Sequence, residues 1–200
     1  MHVAKRILYY YPIIHTQADL GSLGDVAHQV IQKKVGNHLM AERARRIDAV
    51  WKVIRKSVNT LPIDYSKARI YQDGLPICNY TDKIVLDLAN QGSVNHQIIF
   101  ELQQKGGMLL GTEAPDLLLE ELELMKKKLN IYSNKQNFND LEHQLLSKRD
   151  HYIAQRINST LSDAEIGILF LGSLHTVVDK LDMDIEVIYP IGKPKIITWS

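Results

Sequence analysis

Two segments near opposite ends of this chain leave little choice of fold. Residues 6–14 (Ile7, Leu8, Tyr9, Tyr10, Tyr11 and Ile13 among them) and residues 166–171 are apolar at nearly every position, without polar alternation. A strand with one face in water alternates; a near-continuous run of β-branched and aromatic residues suits a strand covered on both faces. Each run also stops near a histidine. The first ends at His15, the second at Gly172-Ser173-Leu174-His175. A histidine placed there stands at the carboxyl edge of a sheet, where open α/β sheets bind ligands.

The intervening sequence supplies the covering layers. Residues 22–34 carry Leu23, Val26, Ala27, Val30 and Ile31 at helical spacing behind Ser22, an N-cap candidate. A long helix over 38–58 follows, with Leu39, Ala44, Ile47, Val50, Val53 and Ile54 on one side and Arg43, Arg45, Arg46, Lys52, Arg55 and Lys56 on the other. Residues 68–71 form a short strand closed by the turn pair Asp73-Gly74. Helices over 82–90 and 94–104 are parted by Gly92, with Ser93 or Asn95 as cap of the second. Residues 108–111 are a third strand, and Pro115 opens a helix over roughly 116–129. A polar loop at 130–137 leads to a helix over 138–161, with Leu141, Leu145, Tyr152, Ile153, Ile157 and Leu161 inward. Strands over 165–171 and 185–189 complete the order, and the residues from 191 read as a strand or an arm. The expectation is one α/β domain over residues 1–200. It has a mostly parallel central sheet of four to five strands, helices on both faces and a helical insert at about 22–60.

Composition removes several function classes. Hydrophobic residues make up 45% and charged residues 24% of 200, enough for a real core. A net charge of +1 gives no long-range attraction to nucleic acid or anionic lipid. No apolar stretch approaches the ~20 residues of a membrane span, and the first run, rich in tyrosine and holding Pro12, reads as a strand and not a signal peptide. One cysteine, Cys78, excludes an internal disulfide and cysteine-based zinc sites. A cytoplasmic location is expected. The apolar strand at 185–189 and the tail at 195–199 form a sheet edge that would pair in a homodimer.

Polar groups cluster just past the four main strands: His15, Thr16, Gln17 and Asp19; Asp73; Thr112 and Glu113; Ser173 and His175. In a parallel sheet these share one edge. Two histidines and two or three carboxylates there make either a divalent-metal site, with His15 and His175 as ligands, or an acid–base site. Arg149, inside the long helix before the last of these strands, is placed to reach inward and hold an anionic group or orient a carboxylate. His28, His38 and His96 fall in helical patterns and are expected at the surface or at caps. The run Glu120-Glu121-Leu122-Glu123 before Lys126-Lys127-Lys128 reads as a solvated helix face without function.

On Gly172-Ser173-Leu174-His175, with the strand before it and the preceding Arg149-Asp150, Ile153-Ala154 and Ile157, the chain resembles the TraB/ChaN/erythromycin-esterase-like superfamily. That superfamily carries a strand-terminal Gly-x-x-His near each end; the first copy here is Pro12-Ile13-Ile14-His15, with proline in place of glycine. The resemblance covers about 40 residues. It implies an α/β fold with its site at one sheet edge, and acidic groups at Asp73 and at Glu113 or Glu120. Members include metal-dependent proteases, hydrolases that work without a metal, and a haem-binding protein, so the resemblance leaves the reaction open.

The leading expectation is a hydrolase acting on an unidentified small molecule or peptide. His15 and His175, with Asp73 or Glu113, would hold a divalent metal ion or act on water directly, and Arg149 would stabilise the developing oxyanion. The rival is a non-enzymatic module that binds a small ligand at the same edge or regulates a partner through the basic helical insert.

Overall fold

The computed structural model describes residues 5–16, 18–19, 37–130 and 135–194. Its centre is a five-stranded, wholly parallel sheet of β1 (Arg6–Ile13), β2 (Ala68–Gln72), β3 (Met108–Leu110), β4 (Ile166–Gly172) and β5 (Ile185–Ile188), in the order β3-β2-β4-β1-β5. The helices are α1 (Asn37–Asn59), α2 (Thr81–Asn90), α3 (Val94–Gln104), α4 (Pro115–Asn130) and α5 (Lys135–Thr160). The two most apolar runs, β1 and β4, lie side by side, each with a strand on both flanks.

Strand side chains alternate between two cores. Tyr11, Ile13, Ile70, Ile168 and Phe170 pack with Ile47, Trp51 and Ile54 of α1, Val85 of α2 and Ile98, Ile99 and Leu102 of α3. On the opposite face Leu8, Tyr10, Tyr71, Leu169 and Leu171 pack with Ile153, Ala154 and Ile157 of α5 and with Val177. Both faces are therefore covered, which explains the absence of polar alternation. No helix among the described residues is long and apolar enough to cross a membrane.

Some local expectations are corrected. Val53 is 55% and Leu141 48% exposed; on α1 it is Trp51 that is buried. The loop expected over 130–137 is helical at both its ends, through Asn130 and again from Lys135, and residues 131–134 lie outside the described ones. His96 is buried, and Ser93 is the cap of α3, its side chain accepting from the His96 backbone N–H. The helix expected over 22–34 with His28, residue Gln17, and the tail from 195 lie outside the described residues.

Register carries the chain's two ends to one place. Ile13 pairs with Gly172 across β1 and β4, and Gln72 pairs with Phe170 across β2 and β4. Residues 15, 73 and 175 therefore all leave the sheet at its carboxyl edge. Beside them, a Cβ built on Gly111 would lie 2.6 Å from both the Ile77 Cα and the Pro76 carbonyl oxygen. Both are backbone atoms, which cannot rotate away. Gly111→Ala is expected to cost about 1–3 kcal/mol, read as a lower urea midpoint at unchanged slope; an unaltered midpoint would show that the β3 exit loop yields freely.

Candidate functional site

Asp73 is the centre. It follows β2 directly, its N–H bonded to the Phe170 carbonyl at 2.9 Å, and Gly74 turns the chain away with φ +74°. Its Oδ2 accepts from the Gly172 backbone N–H at 2.8 Å and from His15 Nε2 at 2.9 Å, and lies 3.5 Å from His175 Nε2. Its Oδ1 accepts from Arg149 Nη2 at 2.9 Å. A Cβ at residue 172 would stand 2.9 Å from Oδ2, so glycine is what lets the carboxylate reach the strand backbone.

Arg149 projects from α5 and binds three carboxylates. Its Nε donates to Glu113 Oε2 at 2.6 Å and Nη2 to Glu113 Oε1 at 2.8 Å, a two-point pair; Nη2 also serves Asp73, and Nη1 donates to Glu121 Oε1 at 2.7 Å. Glu113 further accepts from the Gly74 N–H at 2.6 Å. Burial disfavours the guanidinium charge, but Glu113, Asp73 and Glu121 more than compensate and raise its pKa.

The next residue, Asp150, faces the last strand. Its Oδ1 accepts from His175 Nδ1 at 2.5 Å, while Oδ2 accepts from both the backbone N–H and the hydroxyl of Thr176 at 2.8 Å. His175 is thus gripped between Asp150 and Asp73.

Charge follows geometry. Burial alone would raise the Asp73 pKa; the charges of His175 and His15 and their hydrogen bonds overcome it and hold the carboxyl well below its usual range. Burial would lower the His175 pKa, yet the charge of Asp73 and the bonds to Asp150 and Asp73 push it up to about 10. His15 is raised in the same way, burial being outweighed by Asp73. Since an ionised carboxylate only accepts, His15 Nε2 is the donor to Asp73, so in the neutral form of the ring Nδ1 carries the lone pair. Among the described residues His15 Nδ1 has no hydrogen-bond partner, although the side chain keeps 26% of its surface open.

A second buried group lies beyond His15. Asp19 accepts from the Thr16 N–H at 2.6 Å and from the Ser93 hydroxyl at 2.5 Å, and Ser93 Oγ sits 2.6 Å from His96 Nδ1. Burial drives His96 down to about 4, so it is neutral. These bonds pin the start of α3 to the segment after β1.

The structure brings together His15, Asp73, Glu113, Arg149 and His175. It separates Glu113 from Glu120, whose carboxylate pairs with Lys148 on the surface. The other β3-end group, Thr112, is structural: its hydroxyl accepts from the Gln72 N–H. Two members escaped sequence reasoning. Glu121 belongs to the cluster through Arg149 and not to a featureless solvated face. Asp150 orients His175; its signal was position, because 149 and 150 fall among the inward Leu145, Ile153, Ala154 and Ile157 of α5. Arg149 gives four of its five N–H donors to carboxylates and so holds acids in place. No group of three His, Cys, Asp or Glu side chains among the described residues is disposed to hold a metal ion; His15, Asp73 and His175 are hydrogen-bonded and ion-paired with one another instead.

Fold and site together define an α/β protein with an imidazole–carboxylate–guanidinium cluster at the carboxyl edge of a parallel sheet. Compared with protein-family models, curated proteins and solved structures, the chain matches none.

Proposed function

We propose that the chain is a hydrolase of esters or amides in which Asp73-oriented His15 is the general base on water. The observation that carries this is an Nδ1 with no partner among the described residues, on an imidazole whose other nitrogen is fixed on an ionised carboxylate. A buried ring nitrogen without a partner marks where a water or a substrate group belongs. The water gives its proton to His15 Nδ1 as its oxygen adds to the acyl carbon; collapse expels the alcohol or amine, and His15 returns the proton to it. The cationic His175, backed by Asp150, and Arg149 keep Asp73 ionised, so His15 stays in the required tautomer. The resemblance of the Gly172–His175 block to a superfamily that includes metal-free hydrolases points the same way.

The test is turnover of p-nitrophenyl esters, lactones and fluorogenic peptides, before and after chelation. Hydrolysis that survives chelation, falls by about a hundredfold or more in His15→Ala and Asp73→Asn, and rises with pH through a value above the usual 6.5 of histidine is the expected result. Loss on chelation with recovery on adding zinc or manganese would replace this reading by the divalent-metal form. No turnover of any substrate, or full turnover in His15→Ala, would overturn it in favour of a small-ligand-binding module.

A further inference from the structure

We infer that Glu121 is the specificity residue of this site, and that it recognises a cationic, ammonium-bearing group on the substrate. The inference rests on the hydrolase reading for its place in a reaction, but its own observation is separate. One guanidinium faces three carboxylates, and they share it unequally. Glu113 takes two of its bonds and a backbone N–H. Asp73 takes one, plus a backbone N–H and two imidazoles. Glu121 takes a single bond, from Nη1 to Oε1.

Glu121 is also the acid that meets solvent. Its side chain is 25% exposed, against 4% for Asp73 and 1% each for Glu113 and Asp150. Burial pushes the Glu121 pKa up; Arg149 of α5 opposes that, Asp73 and Glu113 from the ends of β2 and β3 add to it, and His15 from the end of β1 opposes it. Lys148 on α5 is engaged by Glu120. When His15 is neutral, as a base must be, the four carboxylates Asp73, Glu113, Glu121 and Asp150 meet three cations among the described residues: Arg149, His175 and, 4.0 Å from Asp150, Lys180. One negative charge is then left over, and Glu121, held by a single bond from Arg149, is the least-compensated carboxylate. An incoming ammonium offers N–H donors to Glu121 and offsets that surplus; an incoming carboxylate would add to it.

The test uses the full chain and two esters, p-nitrophenyl 6-aminohexanoate and p-nitrophenyl heptanoate, which differ by an ammonium in place of a methyl. Wild type is expected to prefer the ammonium ester by about tenfold in kcat/KM, mostly through KM, the scale of one partly buried charge pair. In Glu121→Gln that ratio is expected to fall to near one, while Glu120→Gln, on the neighbouring surface pair, keeps it. A preference for heptanoate, or a tenfold ratio that survives Glu121→Gln, would overturn the inference. Binding of hexylammonium chloride, followed by calorimetry, reads the same subsite without turnover and is expected to weaken about tenfold in Glu121→Gln. Glu121-dependent hexylammonium binding with neither ester hydrolysed would sink the hydrolase reading and keep this one; active ester hydrolysis with no such binding would do the reverse.

Discussion

Arg149→Leu is expected to destabilise the protein by about 3–5 kcal/mol, the usual cost of removing one partner of a buried ion pair. The leucine fills part of the space but leaves the carboxylates of Glu113 and Asp73, 1% and 4% exposed, without the cation that both share. Neither can turn to water, because Glu113 is tied to the Gly74 N–H and Asp73 to the Gly172 N–H. Arg149→Lys keeps the charge but cannot reproduce the two-point pair with Glu113 while also reaching Asp73 and Glu121, so it is expected to recover only part of the loss. Urea unfolding of the three proteins reads both effects. A leucine variant within about 1 kcal/mol of wild type would mean that the acids take up protons or water at little cost, and the cluster would then contribute nothing to the fold.

Stability is expected to decline as pH rises from about 6.5 to about 10. In the unfolded chain His175 titrates near 6.5; in the folded protein it titrates at about 10, because burial is outweighed by Asp73 and Asp150. A raised folded pKa means that the stabilisation is complete below 6.5 and is lost as pH climbs to the folded value. The size is of order 2–5 kcal/mol, given 1.36 kcal/mol per unit of difference. His15, also raised, adds to the slope in the same direction. Asp73 behaves oppositely: its carboxyl is depressed, so its contribution is present above the ordinary carboxylate range and is lost only in strong acid. Melting temperature against pH, for wild type and His175→Gln, separates these. The wild-type curve should drop across the alkaline window and the variant's should be flatter. Parallel curves would show that Asp73 and Asp150 do not hold His175 as a cation.

The strands and most helices were readable because their causes are local. Residues 6–13 and 166–172 are apolar at nearly every position, which suits a strand covered twice; the helices between them announce themselves by period, by Ser93 as a cap and by Pro115 as a first-turn residue. The carboxyl-edge histidines, Asp73 and Glu113 were reachable because a parallel sheet sends every strand end to one side, and Arg149 because it falls on the inward side of α5. Local pattern misled at individual positions, where spacing along one helix does not say which residues the neighbouring elements cover. Val53 and Leu141 match the inward spacing yet stand in solvent, while His96 and Glu121 look like surface residues yet are buried or half-buried.

What the chain alone determined, then, is the parallel α/β architecture and the side of the sheet on which its chemistry collects, because hydrophobic period and strand direction are properties of short segments. What only the folded structure decided is the partnership within that edge. Asp150 grips His175, Glu121 and not Glu120 reaches Arg149, and His15 Nδ1 is left without a partner among the described residues. Those outcomes depend on the register of β1, β2 and β4 and on how far α4 and α5 lean over the sheet's end. A shift of one residue or a few ångströms there, invisible in any single segment, reassigns every hydrogen bond in the cluster.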